Sequence, residues 1–282
     1  MTTVLLPTFA LLPDGEPAGE LLTVALAARG LESRWVVWDD KFVDWAAADL
    51  VAVRSTWDYH RRLPEFLAWA RSVEGSTRLL NGSEVFAWNA DKGYLVELGR
   101  DIPVVPTERL DDASLVPGLR RALDRWGTVV IKPRVGAGGV GVVIADRVDD
   151  ARLAELTAAP WIVQPLVESV RTSGETSVYV LAGAAVSQVD KTAAGVEIRV
   201  HEYHGGRSVA VPLVAEQAAL AEAAVRVAAA RLGSELSYAR VDMMRWQQVW
   251  SVSELELIEP GLYLDIDPAN AERFADLVVS LV

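Results

Sequence analysis

The sequence predicts an α/β protein in which a parallel N-terminal sheet precedes two α+β segments. Three observations support this. Strand and helix patterns alternate through the first third of the 282 residues, a glycine-rich loop joins two apolar strands in the middle, and glutamates alternate with leucines near the end. Alternating strands and helices are typical of parallel sheets with crossover helices. We expect a substrate-side domain at 1–85, a central domain with the glycine loop at 86–165, and a C-terminal domain at 166–282.

Composition excludes several classes of protein. The chain has no cysteine and three histidines, which excludes disulfides and thiolate metal sites and disfavours a histidine-rich one. The net charge of −12, without a Lys/Arg cluster, argues against nucleic acid. No apolar run reaches the roughly 18 residues of a membrane span. Because the N-terminus resembles a first buried strand rather than a signal peptide, we expect a cytoplasmic protein without membrane partners.

The first third predicts strands at VLLPTF, RWVVWD and LVAVRS, with a helix over 19–29 between the first two. A helix over 64–72 and a short strand ending at Asn81 follow. Open parallel sheets bind ligands at the carboxyl ends of their strands. The polar residues after LVAVRS are therefore candidates for substrate contact, and they include Arg54, Ser55, Thr56 and Asp58.

The middle third predicts a helix from Ser83, an extended link, a helix over 114–126, and the strand-loop-strand unit TVVIKPRVGAGGVGVV. Neither GxxxxGK[ST] nor GxGxxG opening a helix fits this unit. A glycine loop between antiparallel strands can instead close over a triphosphate and donate its N–H groups to phosphate oxygens. Lys132 would add a positive charge. An ordinary glycine-rich hairpin explains the glycines alone equally well. The loop glycines are Gly136, Gly138, Gly139 and Gly141.

The last third predicts a strand at WIVQPLVE and a hairpin at SVYVLAGAAVSQVDK, whose turn is its central Ala-Gly. An alanine-rich helix over 215–231 follows, and Gly233 is its expected C-terminal stop. Strands at YARVDMMRW and VWSVSELELI complete the predicted elements.

The final strand carries acidic residues in alternation. Strand pleating puts Glu254 and Glu256 on one face, and Asp242 on the preceding strand can point to the same side. Three neighbouring carboxylates repel one another unless a cation neutralises them. Oxygen ligands without sulfur suit Mg²⁺ or Mn²⁺. A solvated edge strand is the better explanation of the acids taken alone, but beside a phosphate loop and isolated lysines the metal site becomes the better one.

Together these motifs resemble the ATP-grasp superfamily, whose members bind ATP between two α+β subdomains and activate a carboxylate as an acyl phosphate. The resemblance covers nearly the whole chain, and it implies an ATP-grasp fold after an N-terminal parallel-sheet domain, with ATP and Mg²⁺ as cofactors. Lys92 in WNADKGYL and Lys132 in VIKP match two phosphate-binding lysines. WIVQPLVE matches the strand that contacts adenine. Its candidate contacts are Gln164, which stands where many members have glutamate, Leu166 and Glu168.

The resemblance also implies the metal and substrate residues. Glu254 and Glu256 match the family's ExN element, with glutamate in place of asparagine, and Asp242 matches the remaining metal-binding carboxylate. Lys191 and Arg199 would neutralise the transferring phosphoryl group. The substrate contacts implied are Glu175 and Glu259. A surface ion pair is the alternative for each of Glu175, Lys191 and Arg199, and it is favoured more for Glu175 than for Arg199.

The segments RSTWDYH and ELIEPGLYLD are similar to a bacterial subgroup of stand-alone ATP-grasp proteins, of the glutathione synthetase-like and RimK-like type, often found in natural-product pathways. This implies an ADP-forming ligase that joins or cyclises small amino-acid-like substrates, as in the closure of O-ureidoserine to cycloserine. Arg54 would pair with a substrate carboxylate, and Asp58 or Glu259 with its ammonium. A phosphotransferase and a nucleotide-binding protein without turnover stay open. The oligomeric state also stays open, although such ligases are frequently homodimers.

Overall fold

The computed structural model describes residues 2–156, 159–195 and 197–282. The described strands are β1 (Thr3–Thr8), β2 (Glu32–Val37), β3 (Leu50–Val51), β4 (Arg78–Leu79), β5 (Glu108–Leu110), β6 (Val129–Pro133), β7 (Val143–Ala145), β8 (Trp161–Pro165), β9 (Glu175–Leu181), β10 (Ala184–Thr192), β11 (Arg207–Val211), β12 (Tyr238–Trp246) and β13 (Val249–Glu256). The described α-helices are α1 (Glu20–Ala28), α2 (Leu63–Glu74), α3 (Ser83–Asn89), α4 (Tyr94–Leu98), α5 (Leu115–Trp126), α6 (Ser169–Thr172), α7 (Ala215–Leu232) and α8 (Ala269–Leu281).

The N-terminal sheet has the strand order β2-β1-β3-β4, and every pairing in it is parallel. This confirms the parallel sheet predicted from the alternation of strands and helices. Thr8 bridges to Ser55, so the polar segment after β3 continues along the carboxyl end of β1. The loops at this end point toward the rest of the molecule.

The prediction that the chain ends with two strands is wrong, because helix α8 follows β13. Phe274 of α8 is fully buried in one cluster with Val4 and Leu6 of β1 and with Tyr238 of β12. Arg29, just after α1, pairs with Glu272 and Asp276 of α8 at 2.7 and 2.6 Å. The helix therefore closes the N-terminal sheet and joins it to the C-terminal one. The sequence analysis also overlooked the short elements α4, α6 and β11.

The central sheet has the order β5-β8-β6-β7, and β6 pairs with β7 in antiparallel fashion. The glycine loop therefore connects two antiparallel strands, as predicted. Helix α5 packs against this sheet, where Leu119 and Ala122 are buried against Ile131 and Val163. The strand β6 holds Lys132 near the open end of the sheet, one residue after its buried apolar stretch.

The C-terminal sheet is antiparallel, with the order β11-β10-β9-β12-β13. Its β9–β10 hairpin turns at Ala182 and Gly183, which have φ of 48° and 82°. Helix α7 covers one face with its buried alanines and ends at Gly233 with φ of 61°, where a left-handed residue favours glycine. No helix among the described residues is both long and apolar enough to cross a bilayer. The three domain boundaries stay a prediction.

Candidate active site

A cavity of about 900 Å³ lies where the three sheets meet. Its walls come from β6, β8, the glycine loop, β10, β12, β13 and the loops of the N-terminal sheet. A space of this size is at the upper end of what proteins use for small-molecule ligands. The fold therefore provides one large site to which all three sheets contribute.

The floor of the cavity is formed by side chains from β12 and β13. In the antiparallel register Arg240 lies opposite Glu256 and Asp242 opposite Glu254, so all four project from one face of the sheet. Lys191 reaches the same place from β10. We call these five residues the charged strand face. The sequence pattern predicted the shared orientation of the three acids and missed Arg240.

The charges of this face are paired with one another. Arg240 donates to both oxygens of Asp242 at 3.0 Å and also to Glu256. Lys191 lies 2.5 Å from Glu175 and 3.3 Å from Asp242, and both its partners are almost fully buried. Buried ion pairs of this kind require well-placed partners, because removal of one partner leaves a charge without compensation.

The pKa values follow from these contacts. Burial opposes the charged form of Asp242, but Arg240 and Lys191 outweigh it and lower the pKa of that carboxyl. Burial likewise opposes the charge on Lys191, and Asp242 with Glu175 raises its pKa above the usual range. Burial raises the pKa of Glu256 despite the neighbouring Arg240. The protonation state of each group on this face therefore depends on the charges of its neighbours.

The two candidate phosphate-binding lysines differ in their surroundings. Lys92 lies 3.1 Å from Glu254 and donates to the carbonyl of Gly136 in the glycine loop. Lys132 has no carboxylate within 4.0 Å in the part of the chain that the structure describes. Burial lowers its pKa, while Glu254 and Glu175 act in the opposite direction. A half-buried lysine without a close anion is suited to receive one.

The glycine loop lies over the cavity. Gly138, Gly139 and Gly141 have φ of 62°, 69° and 74°, a conformation that side chains with a Cβ rarely adopt. A Cβ on Gly139 would approach Arg199 Cδ to 3.1 Å, so the loop packs closely on the opposite wall. Gly136, Gly138 and Gly139 line the cavity, whereas Gly141 lies outside its lining. The structure thus brings most of the predicted loop to the site.

Arg199 lines the cavity with its guanidinium held by Glu197. Its Nε and Nη2 donate to the two oxygens of Glu197 at 3.1 and 2.7 Å. The Arg199 guanidinium lowers the pKa of Glu197 to about 2. The arginine is therefore oriented within the wall rather than loose on the surface.

The expected adenine-binding strand is only partly directed at the cavity. Gln164 and Leu166 line it, and the amide nitrogen of Gln164 donates to Thr107 at 2.9 Å. Glu168 is exposed, pairs with Arg171 at 3.0 Å and lies outside the cavity lining. The structure therefore does not bring Glu168 to the site, because the chain turns into α6 at this point.

The four polar residues after β3 that were predicted to contact substrate lie outside the cavity lining, although the neighbouring Trp57 and His60 belong to it. Arg54 is fully buried between the rings of Tyr238 and Phe274, at 4.4 and 4.2 Å from their centroids. Ser55 bonds to Thr8 at 2.8 Å, and Thr56 is also fully buried. The expectation that Arg54 meets a substrate carboxylate is thus corrected: α8, absent from the predicted elements, covers it.

Asp58 is engaged within the N-terminal region. It accepts a hydrogen bond from Trp38 at 2.9 Å and pairs with Arg62 at 3.4 Å. It is not part of the cavity lining, whereas Glu175 and Glu259 are. Of the predicted substrate residues, the structure therefore brings these two glutamates to the site.

Comparison with known proteins identifies the family. A family model described as the N-terminal domain of the D-cycloserine synthetase DcsG matches residues 4–81. The cycloserine biosynthesis protein DcsG of Streptomyces lavendulae is 31% identical in an alignment of 265 positions that covers 87% of each chain. The chain belongs to the DcsG family of ATP-grasp ligases. It is accordingly an ATP-dependent, ADP-forming ligase.

Solved structures agree with this assignment. The crystal structure of D-cycloserine synthetase DcsG superposes with a TM-score of 0.89 at 30% identity and covers 99% of both chains. The ATP-grasp ligase PsnB, in complex with a minimal precursor, superposes with a TM-score of 0.67 at 19% identity, over 100% of this chain and 99% of PsnB. The second likeness shows the fold alone. The ATP-grasp fold predicted from the motifs is confirmed.

Two residues of this DcsG-family site escaped the sequence analysis. Arg240 stands two positions before Asp242 on the same strand, so the period-two rule that placed the acids together would also have found it. Glu16, in the loop before α1, lines the cavity and is 4% exposed. No periodic pattern marks it, because its loop position has meaning only after folding. We call Glu16 and Glu259 the carboxylate corner.

The carboxylates of the charged strand face fit a hard divalent cation in part. Glu254 and Glu256 line the cavity with side chains 30% and 24% exposed, and their oxygens are ligands that Mg²⁺ prefers. Asp242 is 4% exposed, and its oxygens accept from Arg240 and Ser177. Within the described ranges, no three acidic or histidine side chains are arranged to hold a metal ion as they stand.

Proposed function

We propose that this ligase uses ATP to activate the carboxylate of an amino-acid-like substrate and then closes that substrate into a ring of the cycloserine type. The single observation that carries the proposal is the convergence of Lys92, Lys132 and Lys191 from separate parts of the fold on the acidic face of β12 and β13. The likeness to the cycloserine biosynthesis protein of Streptomyces lavendulae supports the substrate class.

The lysines and the glycine loop would hold the nucleotide. Lys92 and Lys132 line the cavity together with the loop and would pair with the α- and β-phosphates. The N–H groups of the loop glycines can donate to phosphate oxygens, since no Cβ blocks the approach. Gln164 and Leu166 would line the adenine end. Phosphoryl transfer requires mainly this kind of positioning and charge neutralisation.

Arg240, Lys191 and Arg199 would act on the reacting groups. In the first step a carboxylate oxygen of the substrate attacks the γ-phosphorus and ADP leaves. In the second step the oxygen-bound nitrogen of the substrate's ureido group attacks the acyl carbon, the C–N bond forms, and phosphate leaves with the former carboxylate oxygen while the nitrogen loses its proton. Water then removes the carbamoyl group from that nitrogen as carbon dioxide and ammonia, which leaves the cycloserine ring. The three cations neutralise charge that develops on the phosphoryl group and on the acyl oxygen, which is the largest catalytic contribution expected of such a site.

Glu254 and Glu256 would hold Mg²⁺, and Asp242, which Arg240 engages, would be the third carboxylate of the site. When bound, Mg²⁺ neutralises the negative charge of the β- and γ-phosphates. Without a cation the two glutamates would repel the nucleotide that Lys92 and Lys132 attract. The acids and lysines of this face therefore serve one ligand.

An ADP-release assay with O-ureidoserine, Mg²⁺ and ATP tests the proposal. We expect ADP and phosphate in equal amounts and a product with the mass of cycloserine. A product that retains the phosphoryl group would instead indicate a phosphotransferase. If O-ureidoserine gives no ADP above the background rate, the cyclisation is refuted, and a panel of amino acids and amines then tests intermolecular ligation.

A further inference from the structure

Glu16 is a buried carboxylate with one unused oxygen. Its Oε2 accepts the N–H of Leu262 at 2.6 Å. Its Oε1 has no hydrogen-bond partner among the described residues, although the side chain is 4% exposed. Buried polar atoms are nearly always paired in folded proteins. An unpaired carboxylate oxygen on a cavity wall therefore indicates a ligand that brings a donor.

The surroundings of Glu16 are closely packed. A Cβ on Gly261 would lie 3.6 Å from Oε2 of Glu16 and 3.2 Å from the Trp57 ring. Trp57 in turn donates its indole N–H to the carbonyl of Glu259 at 3.2 Å. Glu16, Trp57 and the 259–263 segment thus form one corner of the cavity, which holds two carboxylates.

No close ion pair in the described parts of the chain balances the charge of this corner, although Arg54, Arg240 and Lys92 act on it from beyond 4.0 Å. Burial raises the pKa of Glu16 to about 7, while Arg54 acts against this shift from a distance. Burial and the nearby Glu256 raise the pKa of Glu259 well above its usual range. Neither glutamate forms an ion pair within 4.0 Å among the described residues. A cation that enters the corner would supply both the missing charge and the missing donor.

We propose that Glu16 binds the α-ammonium group of the amino-acid-like substrate. The zwitterion then lies between the two ends of the cavity, with its ammonium at the carboxylate corner and its carboxylate toward Lys191 and Arg240. Of the two acids predicted from the sequence for this role, Asp58 is already engaged by Trp38 and Arg62, and Glu259 shares the carboxylate corner with Glu16. This inference rests on the proposed function, because it assumes a substrate with an amine next to the activated carboxylate.

The test uses two probes that differ only in the amine. D-cycloserine carries it, and isoxazolidin-3-one is the same ring without it. Calorimetry with ADP and Mg²⁺ present should show that Glu16→Gln weakens D-cycloserine binding at least tenfold and leaves isoxazolidin-3-one binding unchanged. Equal affinity of D-cycloserine for both proteins would overturn the assignment, and so would a failure of the wild type to bind it.

Controls separate binding from folding and from turnover. Glu20→Gln removes an exposed carboxylate four residues away and should leave both affinities unchanged. The melting temperature of Glu16→Gln should not fall, because the amide removes a buried charge. With O-ureidoserine as substrate, the variant should raise KM for that substrate at least tenfold and leave KM for ATP unchanged. A wild type that binds D-cycloserine but releases no ADP counts against the proposed reaction alone, since the binding comparison still decides the role of Glu16.

Discussion

The two ends of the cavity differ in whether their ionisable side chains form ion pairs. On the charged strand face each ionised side chain has an oppositely charged neighbour, as Arg240 has in Asp242 and Glu256. At the carboxylate corner Glu16 and Glu259 have none within ion-pair distance in the described parts of the chain. Strand pairing brings the residues of the charged strand face together, whereas loops bring Glu16 and Glu259 to the cavity wall. The difference indicates that one end is assembled before ligands bind and that the other depends on its ligand.

Substitution of Arg240 tests the first half of this comparison and should have the largest effect. Arg240→Met leaves Asp242 and Glu256 close together without their shared cation. Loss of one partner of a buried pair costs about 3–5 kcal/mol of unfolding free energy. We also expect ADP release to fall by more than about a thousandfold, since this position resembles the arginines that stabilise phosphoryl transfer.

Urea unfolding and an ADP-release assay measure the two effects. Arg245→Ala is the matched control, because this arginine lies on the same strand but is exposed. It should change the unfolding free energy by less than about 0.5 kcal/mol. An Arg240→Met variant as stable as the wild type would show that the face is not held together by its ion pairs.

Substitution of Lys132 tests the one lysine of this group of cations that has no ion-pair partner within 4.0 Å among the described residues. It has no close carboxylate, and burial lowers its pKa, so its charge adds little to folding. Lys132→Met should reduce kcat/KM for ATP by about 100- to 1000-fold, the usual effect of losing one electrostatic contact to the transition state. Its unfolding free energy should not decrease.

The same urea titration and ADP-release assay decide the outcome. Lys41→Met, at an exposed lysine in the N-terminal region, is the control and should behave as wild type. Loss of stability together with activity in Lys132→Met would mean that Lys132 supports the fold as Arg240 does, and the contrast between the two cations would fail.

Burial of Glu16 in the carboxylate corner should make the unfolding free energy depend on pH. The pKa of Glu16 is raised from 4.5 to about 7 by burial. Between pH 4.5 and 7, Glu16 is thus protonated in the folded protein but ionised in the unfolded chain. The contribution of Glu16 to the unfolding free energy is therefore fully present below pH 4.5 and is lost as the pH rises toward 7. Relative to Glu16→Gln, the wild type should lose up to about 3 kcal/mol over this range.

Unfolding free energies of both proteins at pH 5, 6 and 7, without ligand, would check this loss. Parallel curves would mean that Glu16 is already compensated within the protein. That result would remove the contrast between the two ends of the cavity.

A substitution in the glycine loop should have the smallest effect, and it should change only the KM for ATP. Gly139→Ala places a Cβ on a residue with φ of 69° and within 3.1 Å of Arg199. A left-handed alanine costs about 1–2 kcal/mol. We expect KM for ATP to rise by about 5- to 30-fold, while KM for the amino-acid substrate stays within about twofold.

Steady-state kinetics with each substrate varied in turn would measure this. Gly136→Ala is the comparison for backbone strain, since its φ is not positive and a Cβ there would meet only Pro133 at 3.7 Å, and it should raise KM for ATP less than Gly139→Ala does. An equal rise in both KM values would show that the loop covers the carboxylate corner as well as the charged strand face.

Local patterns in the sequence were sufficient for much of the fold. The β6–β7 unit, the turn at Ala182 and Gly183, and the end of α7 at Gly233 all follow from residue types next to one another in the chain. The shared face of Glu254 and Glu256 follows from strand pleating. The ATP-grasp resemblance added the order of these parts, which the solved DcsG structure confirms. The catalytic and ligand roles of the individual residues stay predictions.

The sequence by itself determined most of the longer elements and the strand that carries the acids, because alternation and turn chemistry act over a few residues. Only the tertiary structure decided which charges meet. Helix α8 covers Arg54 from more than 200 positions away, and Leu262 holds Glu16 across a separation of 246 residues. Such contacts depend on how distant segments pack, and no short-range pattern encodes them. Arg54, which the sequence predicted as a substrate contact, is therefore part of the core, and Glu16, which no sequence pattern marked, lines the cavity.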